Sequence, residues 1–151
     1  MAGRHQLEFE VQDALGFIAI LQRGRAEKLL SGFNLNYSQF TLLFLLGNDL
    51  DKEWTVSGLA SHMEMKKSGI SKIVSELMDR RWLSHTVCAD DRRRKVVRIT
   101  RTGIKKRQST LDAMQPFIAS TFAGWSASDL QAFLVHLARL KEWLDRHRDV
   151  P

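Results

Sequence analysis

A chain of 151 residues, 44% of them hydrophobic, with two prolines and nine glycines, has room for about one domain and one ordinary core. No charge-free run approaches the ~20 apolar residues of a membrane span, and MAGRHQLEFE at the N-terminus lacks an apolar signal core, so a cytoplasmic protein is expected. A single cysteine, Cys88, rules out an intrachain disulfide and, with no Cys or His cluster beside it, a zinc site.

The net charge is +6, and its placement says more than its size. Residues 66–107 carry fourteen Lys and Arg against Glu76, Asp79, Asp90 and Asp91, a local +10, so the remainder is −4. One basic region on an otherwise acidic chain is an electrostatic footprint for a polyanion. The competing reading is a solvated, arginine-rich surface, and charge alone does not choose between them.

From about Glu8 to Leu30 the chain reads as a helix with a broad apolar face of Val11, Leu15, Phe17, Ile18, Ile20 and Leu21, and with Gly32 as its stop. The segments after it do not fill the whole of that face, so part of it is expected to meet another subunit. Asn36 caps a second helix, Tyr37 to about Leu46, and Gln39 at its third position completes a capping box. Phe40, Leu43, Phe44 and Leu46 give this helix bulk almost all round, which places it at the centre of the core. Trp54 falls in a short strand. Thr55 then caps a third helix, Val56 to Met63, with Val56, Leu59 and Ala60 facing inward.

A fourth helix, Lys67 to Arg80, begins only a few residues later, as a helix-turn-helix requires. Ile70, Ile73, Val74 and Leu77 form its apolar stripe, while Lys67, Ser68, Ser71, Lys72 and Ser75 fall on another face. A short, polar, positive face suits a helix in a DNA major groove, where hydroxyls and ammonium groups meet base edges and phosphates. Gly69 costs about 1 kcal/mol of helix propensity there and is expected to admit DNA or the preceding helix closely.

Trp82–Val87 and Val96–Thr100 read as two strands joined through Ala89-Asp90-Asp91-Arg92-Arg93-Arg94-Lys95. Four consecutive cations near a hairpin tip repel one another unless a polyanion lies close. The pattern over 34–100 is a winged helix-turn-helix, mainly α with a small β-hairpin. Thr100 caps a helix from Arg101 through Ile104, Leu111 and Met114, with a bend or break expected at Pro116. Ser126-Ala127-Ser128-Asp129 starts a last helix to about His147, striped by Leu130, Phe133, Leu134, Leu137, Leu140 and Leu144. Segments 1–33 and 101–151 are expected to form a helical dimerisation region. A homodimer would set two recognition helices about 34–36 Å apart, one turn of DNA.

Gln39 in NYSQF, Leu59-Ala60, Ser71-Lys72-Ile73-Val74 with Leu77, and above all Asp91-Arg92-Arg93 followed by Val97-Arg98-Ile99-Thr100 and Gly103, resemble the multiple antibiotic resistance regulator (MarR) family of bacterial winged-helix transcription factors. The resemblance runs from the first helix to the last, and SHTVCADDRR looks most similar to the SlyA branch. It implies a homodimeric repressor on a pseudo-palindromic operator, relieved by a small aromatic or phenolic ligand, with no cofactor. The family's minor-groove residue falls on Arg92. Asp91 and Arg93 look like the pair that braces the wing, and Arg94 and Lys95 add to its charge. The recognition helix's main basic position falls on Lys72, where many relatives carry Arg; lysine lacks the rigid two-pronged donor fork, so phosphate binding is the stronger expectation.

Two departures from the family pattern stand out. Arg81-Trp82 replaces Gly followed by an aliphatic, and a left-handed cap would cost arginine about 1 kcal/mol, so a reshaped helix end is expected. Lys66 replaces the Ser or Thr cap. The family's ligand cleft lies between the DNA-binding part and the dimer helices; Arg23, Arg25 and Trp54 are the candidates for lining it, against a surface or core role for each. The first-helix cysteine of the peroxide-sensing branch is absent, so Cys88 reads as an ordinary strand residue.

An enzyme finds little support. His5, His62, His85, His136 and His147 show no metal-ligand spacing, and no Gly-rich phosphate loop is present. The alternative function is an architectural or protein-contact winged helix with little sequence specificity. A regulator would prefer its site to random duplex by at least ~10³, whereas an architectural protein would not.

Overall fold

The computed structural model describes residues 3–87 and 95–149. Among them the order is α1 (Arg4–Ser31), α2 (Tyr37–Asn48), α3 (Val56–His62), α4 (Lys67–Asp79), β1 (Leu83–Val87), β2 (Lys95–Ile99), α5 (Arg101–Thr121) and α6 (Ala127–Arg146). This is the expected mainly helical chain with one antiparallel hairpin. Backbone packing divides it into two units, Met1–Met114 and Gln115–Pro151.

The first unit is built round α2, whose Gln39, Phe40, Leu42, Leu43 and Leu46 are buried. Against it pack Leu59 and Ala60 of α3, Ile70, Ile73, Val74 and Leu77 of α4, and Leu83 and Val97 of the hairpin. The expected burial of Phe44 does not occur: it is 39% exposed, with the Arg107 guanidinium 4.9 Å over its ring. A helix buried all round needs neighbours on every side, and here α5 supplies only a flexible cation on that one. From α1 only the last turns join the core, through Ala26 and Leu30. Leu7, Phe9, Val11, Phe17, Ile18, Ile20 and Leu21 are all exposed.

Three helices end in the same way, each with a non-glycine residue at positive φ: Asn34 after α1, Glu64 after α3 and Arg81 after α4. In each, two crossed backbone bonds close the turn, Leu35 N to Leu30 O and Asn34 N to Ser31 O in the first, Met65 N to Ala60 O and Glu64 N to Ser61 O in the second, and Trp82 N to Leu77 O and Arg81 N to Met78 O in the third. These are Schellman caps. Gly32, read from sequence as the stop of α1, is right-handed at φ −65°; the left-handed residue is Asn34, two positions on.

Arg81 corrects the expectation of a reshaped helix end, because it takes the left-handed conformation at φ 60°. The compensation is local: its carbonyl accepts from the hydroxyls of Thr100 and Thr102, both at 2.7 Å. Arg81→Gly is therefore expected to raise stability by about 0.5–1 kcal/mol. It relieves a left-handed strain of about 1–2 kcal/mol and gives part of that back in unfolded-chain entropy. A higher urea midpoint at unchanged slope would register it.

The hairpin pairs Leu83 with Ile99, His85 with Val97 and Val87 with Lys95. Trp54 joins the other edge of β2 by a single bridge, its carbonyl accepting from Val97 N at 2.7 Å. Thr100 caps α5 as expected, its hydroxyl accepting from Gly103 N at 3.0 Å. The helix then continues through Pro116 to Thr121, so of the expected bend or break the break does not occur. Proline forgoes one backbone bond and tilts its neighbours, which a long helix tolerates at an exposed position such as this one. In the second unit α6 starts in a capping box between Ser126 and Asp129, whose carboxyl the Ser126 hydrogen bonds hold below the usual carboxylate range. No residue of α6 is buried; Leu134, Val135, Trp143 and Leu144 are exposed.

Candidate nucleic-acid interface

The two faces of α4 are separated cleanly. Ile70, Ile73, Val74 and Leu77 are buried, whereas Lys67, Ser68, Ser71, Lys72 and Ser75 are all exposed. Packing on one side thus presents the other as a polar, cationic strip of short hydroxyls and two lysines. At the N-terminus Lys66 occupies the cap position with no side-chain cap bond, and its carbonyl takes Gly69 N at 2.9 Å. Lys66 and Lys67 are thus exposed at the N-terminal, positive end of the α4 helix dipole. Gly69 is not demanded by close packing, because a Cβ there would meet only Met65 Cε, at 3.6 Å.

The hairpin base is tied down by Arg98, which donates to the Leu50 carbonyl at 3.0 Å and pairs with Glu53 at 3.4 Å. Lys95 is exposed at the start of β2. The tip expected to carry Asp91, Arg92, Arg93 and Arg94, together with Cys88, lies outside the described residues.

The three ligand-cleft candidates sit in different settings. Arg23 is paired with Glu27 at 2.9 Å and stacks 5.4 Å over the Tyr37 ring. Arg25 is exposed on the same helix. Trp54 is core, 6% exposed, with His62 at 5.1 Å between ring centroids and Lys52 Nζ 4.0 Å over its ring. Among the described residues, no group of three or more His, Cys, Asp or Glu is placed to hold a metal ion, and no helix is long and apolar enough to cross a membrane.

Sequence reasoning missed the ties that hold α4 and the wing base. Gln39 donates to Glu76 at 2.8 Å, and Arg80 donates to the Asn34 carbonyl. The capping box marked Gln39, but nothing local points to a partner 37 residues away.

A three-helix core, a helix-turn-helix and a two-stranded hairpin leading into a long helix define a winged helix-turn-helix protein. A sequence model of the MarR family matches residues 33–94 of the chain. No curated protein matches the sequence. Among solved structures, a MarR family protein from Bacillus stearothermophilus shares the fold with a TM-score of 0.80 at 17% identity, covering 95% of this chain and 99% of the other. MarR itself gives 0.78 at 20% identity over 91% and 92% of the two chains. The MepR–DNA complex of S. aureus gives 0.73 at 18% identity over 91% and 98%.

Proposed function

We propose that the protein is a sequence-specific double-stranded DNA-binding transcriptional regulator, acting as a homodimer on a pseudo-palindromic operator. The observation that carries this is α4, whose five polar and cationic side chains are all exposed while its opposite face is locked in the core. Lys72 and Ser71 occupy the centre of that strip, with Ser68 and Lys67 at its N-terminal end and Ser75 one turn further on. Arg92, Arg93, Arg94 and Lys95 form the wing contact, braced by Asp91. The DNA complex of MepR, which shares this fold, supports the reading. Dimerisation is supported by the exposed apolar residues of α1 and α6, since large exposed apolar surfaces mark association sites. The division into a dimerisation region (1–33 and 101–151) and a reading region (34–100) belongs to the same proposal. The repressor mode, and its release by a small aromatic or phenolic ligand near Arg23, Arg25 and Trp54, rest on the family resemblance alone.

Selection from random duplexes tests the whole proposal. The expected product is an inverted repeat with half-sites about 10 base pairs apart, bound at least ~10³-fold more tightly than random duplex at matched salt. Equal binding to selected and random duplexes would sink it and favour the architectural reading. On the selected operator, Lys72→Ala is expected to weaken binding and reduce the salt slope by about one while leaving base preference intact, the behaviour of a phosphate contact. If slope and affinity both stay unchanged, α4 is not the reading helix.

A further inference from the structure

Gln39 and Thr110 are the buried polar side chains among the described residues, and Gln39 uses both ends of its amide. Its Oε1 accepts from Asn36 N at 3.1 Å, closing the cap of α2, and its Nε2 donates to Glu76 Oε2 on α4 at 2.8 Å. Its own backbone N donates to Asn36 Oδ1 at 2.8 Å. The amide cannot turn over, because a flip would face two donors at Asn36 and two acceptors at Glu76. One turn further along α4, Arg80 donates to the carbonyl of Asn34, the left-handed residue of the α1–α2 corner. The same corner is held to α1 by Arg23 stacked over Tyr37, the first residue of α2.

The α1–α2 corner therefore grips one flank of α4 at residues 76 and 80, about 6 Å apart along the helix axis. Apolar packing at Ile70, Ile73, Val74 and Leu77 holds α4 against the core but is non-directional, and tolerates sliding and rolling. Two hydrogen bonds one turn apart do not. A base-reading side chain must be held within about 0.5 Å and 10–20° of its working geometry, a tolerance that packing alone does not guarantee.

We infer that Gln39 is a positioning residue for base reading. Through Glu76, and with Arg80 on Asn34 as the second tie, it sets the roll of α4 and couples the reading helix to α1. This rests on the DNA-binding reading above, with which the exposed strip on α4 agrees.

The test uses a reversal of the bond on the full-length protein. Glutamate serves a capping box as well as glutamine does, so Q39E keeps the cap of α2 but sets a carboxylate against Glu76. Operator affinity is expected to fall at least about tenfold, with discrimination among bases lost and random-duplex affinity changed far less. Amide hydrogen exchange over Ser71–Asp79 should quicken about tenfold relative to α2. E76Q alone keeps a donor–acceptor pair and should read bases as the wild type does. Q39E/E76Q reverses donor and acceptor, and should return affinity, discrimination and exchange to the levels of E76Q. A Q39E protein that keeps its base preference overturns the inference. So does a double variant no better than Q39E in both readouts, including the case where Q39E fails to fold and E76Q does not rescue it. If the wild type itself selects no duplex, the DNA-binding reading falls, while exchange in the three variants still decides whether the tie holds α4.

Discussion

Gly103→Ala is expected to cost about 3 kcal/mol of folding stability, at the upper end of what overpacking a core does. A Cβ at this position would lie 2.1 Å from the Trp82 carbonyl oxygen, 3.0 Å from its carbon and 2.8 Å from Ile99 Cγ1. The obstacle is mostly backbone and cannot rotate away. The Trp82 carbonyl is moreover held in place, since it accepts from Thr100 N at 3.0 Å while Trp82 N is committed to the cap of α4. Relief requires α5 to lift off the base of the hairpin, which would break the Thr100 hydroxyl bond to the Arg81 carbonyl and the cap bond to Gly103 N. Gly69→Ala is the internal comparison. With only Met65 Cε nearby at 3.6 Å, it should gain up to about 1 kcal/mol of helix propensity. Urea unfolding followed by circular dichroism checks both. A Gly103→Ala midpoint equal to that of the wild type would mean that α5 and the hairpin base do not meet as described.

The second large effect is expected at the wing. Arg92→Ala should cost about 10- to 100-fold in affinity on operators with A·T-rich flanks, the 1–3 kcal/mol of a good groove contact, and much less on G·C-rich flanks. Val87 pairs with Lys95, and the sequence between them carries the arginine run expected at the wing tip. A narrow A·T minor groove concentrates negative potential and rewards an inserted guanidinium. Three adjacent arginines do not fit together in a groove about 6 Å wide, so Arg93 and Arg94 are expected to turn back to Asp91, Asp90 or the flanking phosphates. Arg94→Ala should then weaken both operators by a similar factor. Asp91→Ala should also weaken binding although it makes the protein more positive, an outcome that a simple charge field does not produce. Tighter binding by Asp91→Ala, with equal losses for Arg92→Ala and Arg94→Ala, would leave the wing as a nonspecific electrostatic clamp.

Much of the fold was legible in the sequence because the signals are local. The capping boxes of α2 and α6 and the Thr100 cap each need residues only three apart, and the apolar stripe of α4 needs only the helical period. From those, the element order, the buried face of α4 and its exposed strip of Lys67, Ser68, Ser71, Lys72 and Ser75 could be read directly. The reading of Phe44 as core went wrong, and of the bend or break expected at Pro116 the break does not occur, for a related reason. Burial and helix continuity depend on what packs alongside, and the local pattern does not contain it.

The tertiary structure alone decided the contacts that join distant segments. Gly103 reads locally as an ordinary weak helix residue, and only the carbonyl of Trp82 against it makes it obligatory. Arg81 reads as an improbable left-handed cap, and only the two threonine hydroxyls from the start of α5 show how its carbonyl is held there. Gln39 announces a capping box, but its second bond goes to Glu76, across the core. The physical reason is the same in all three. Helical period and capping are set within one turn of chain, whereas a steric limit or a buried hydrogen bond exists only once two remote segments have been brought within about 3 Å of each other.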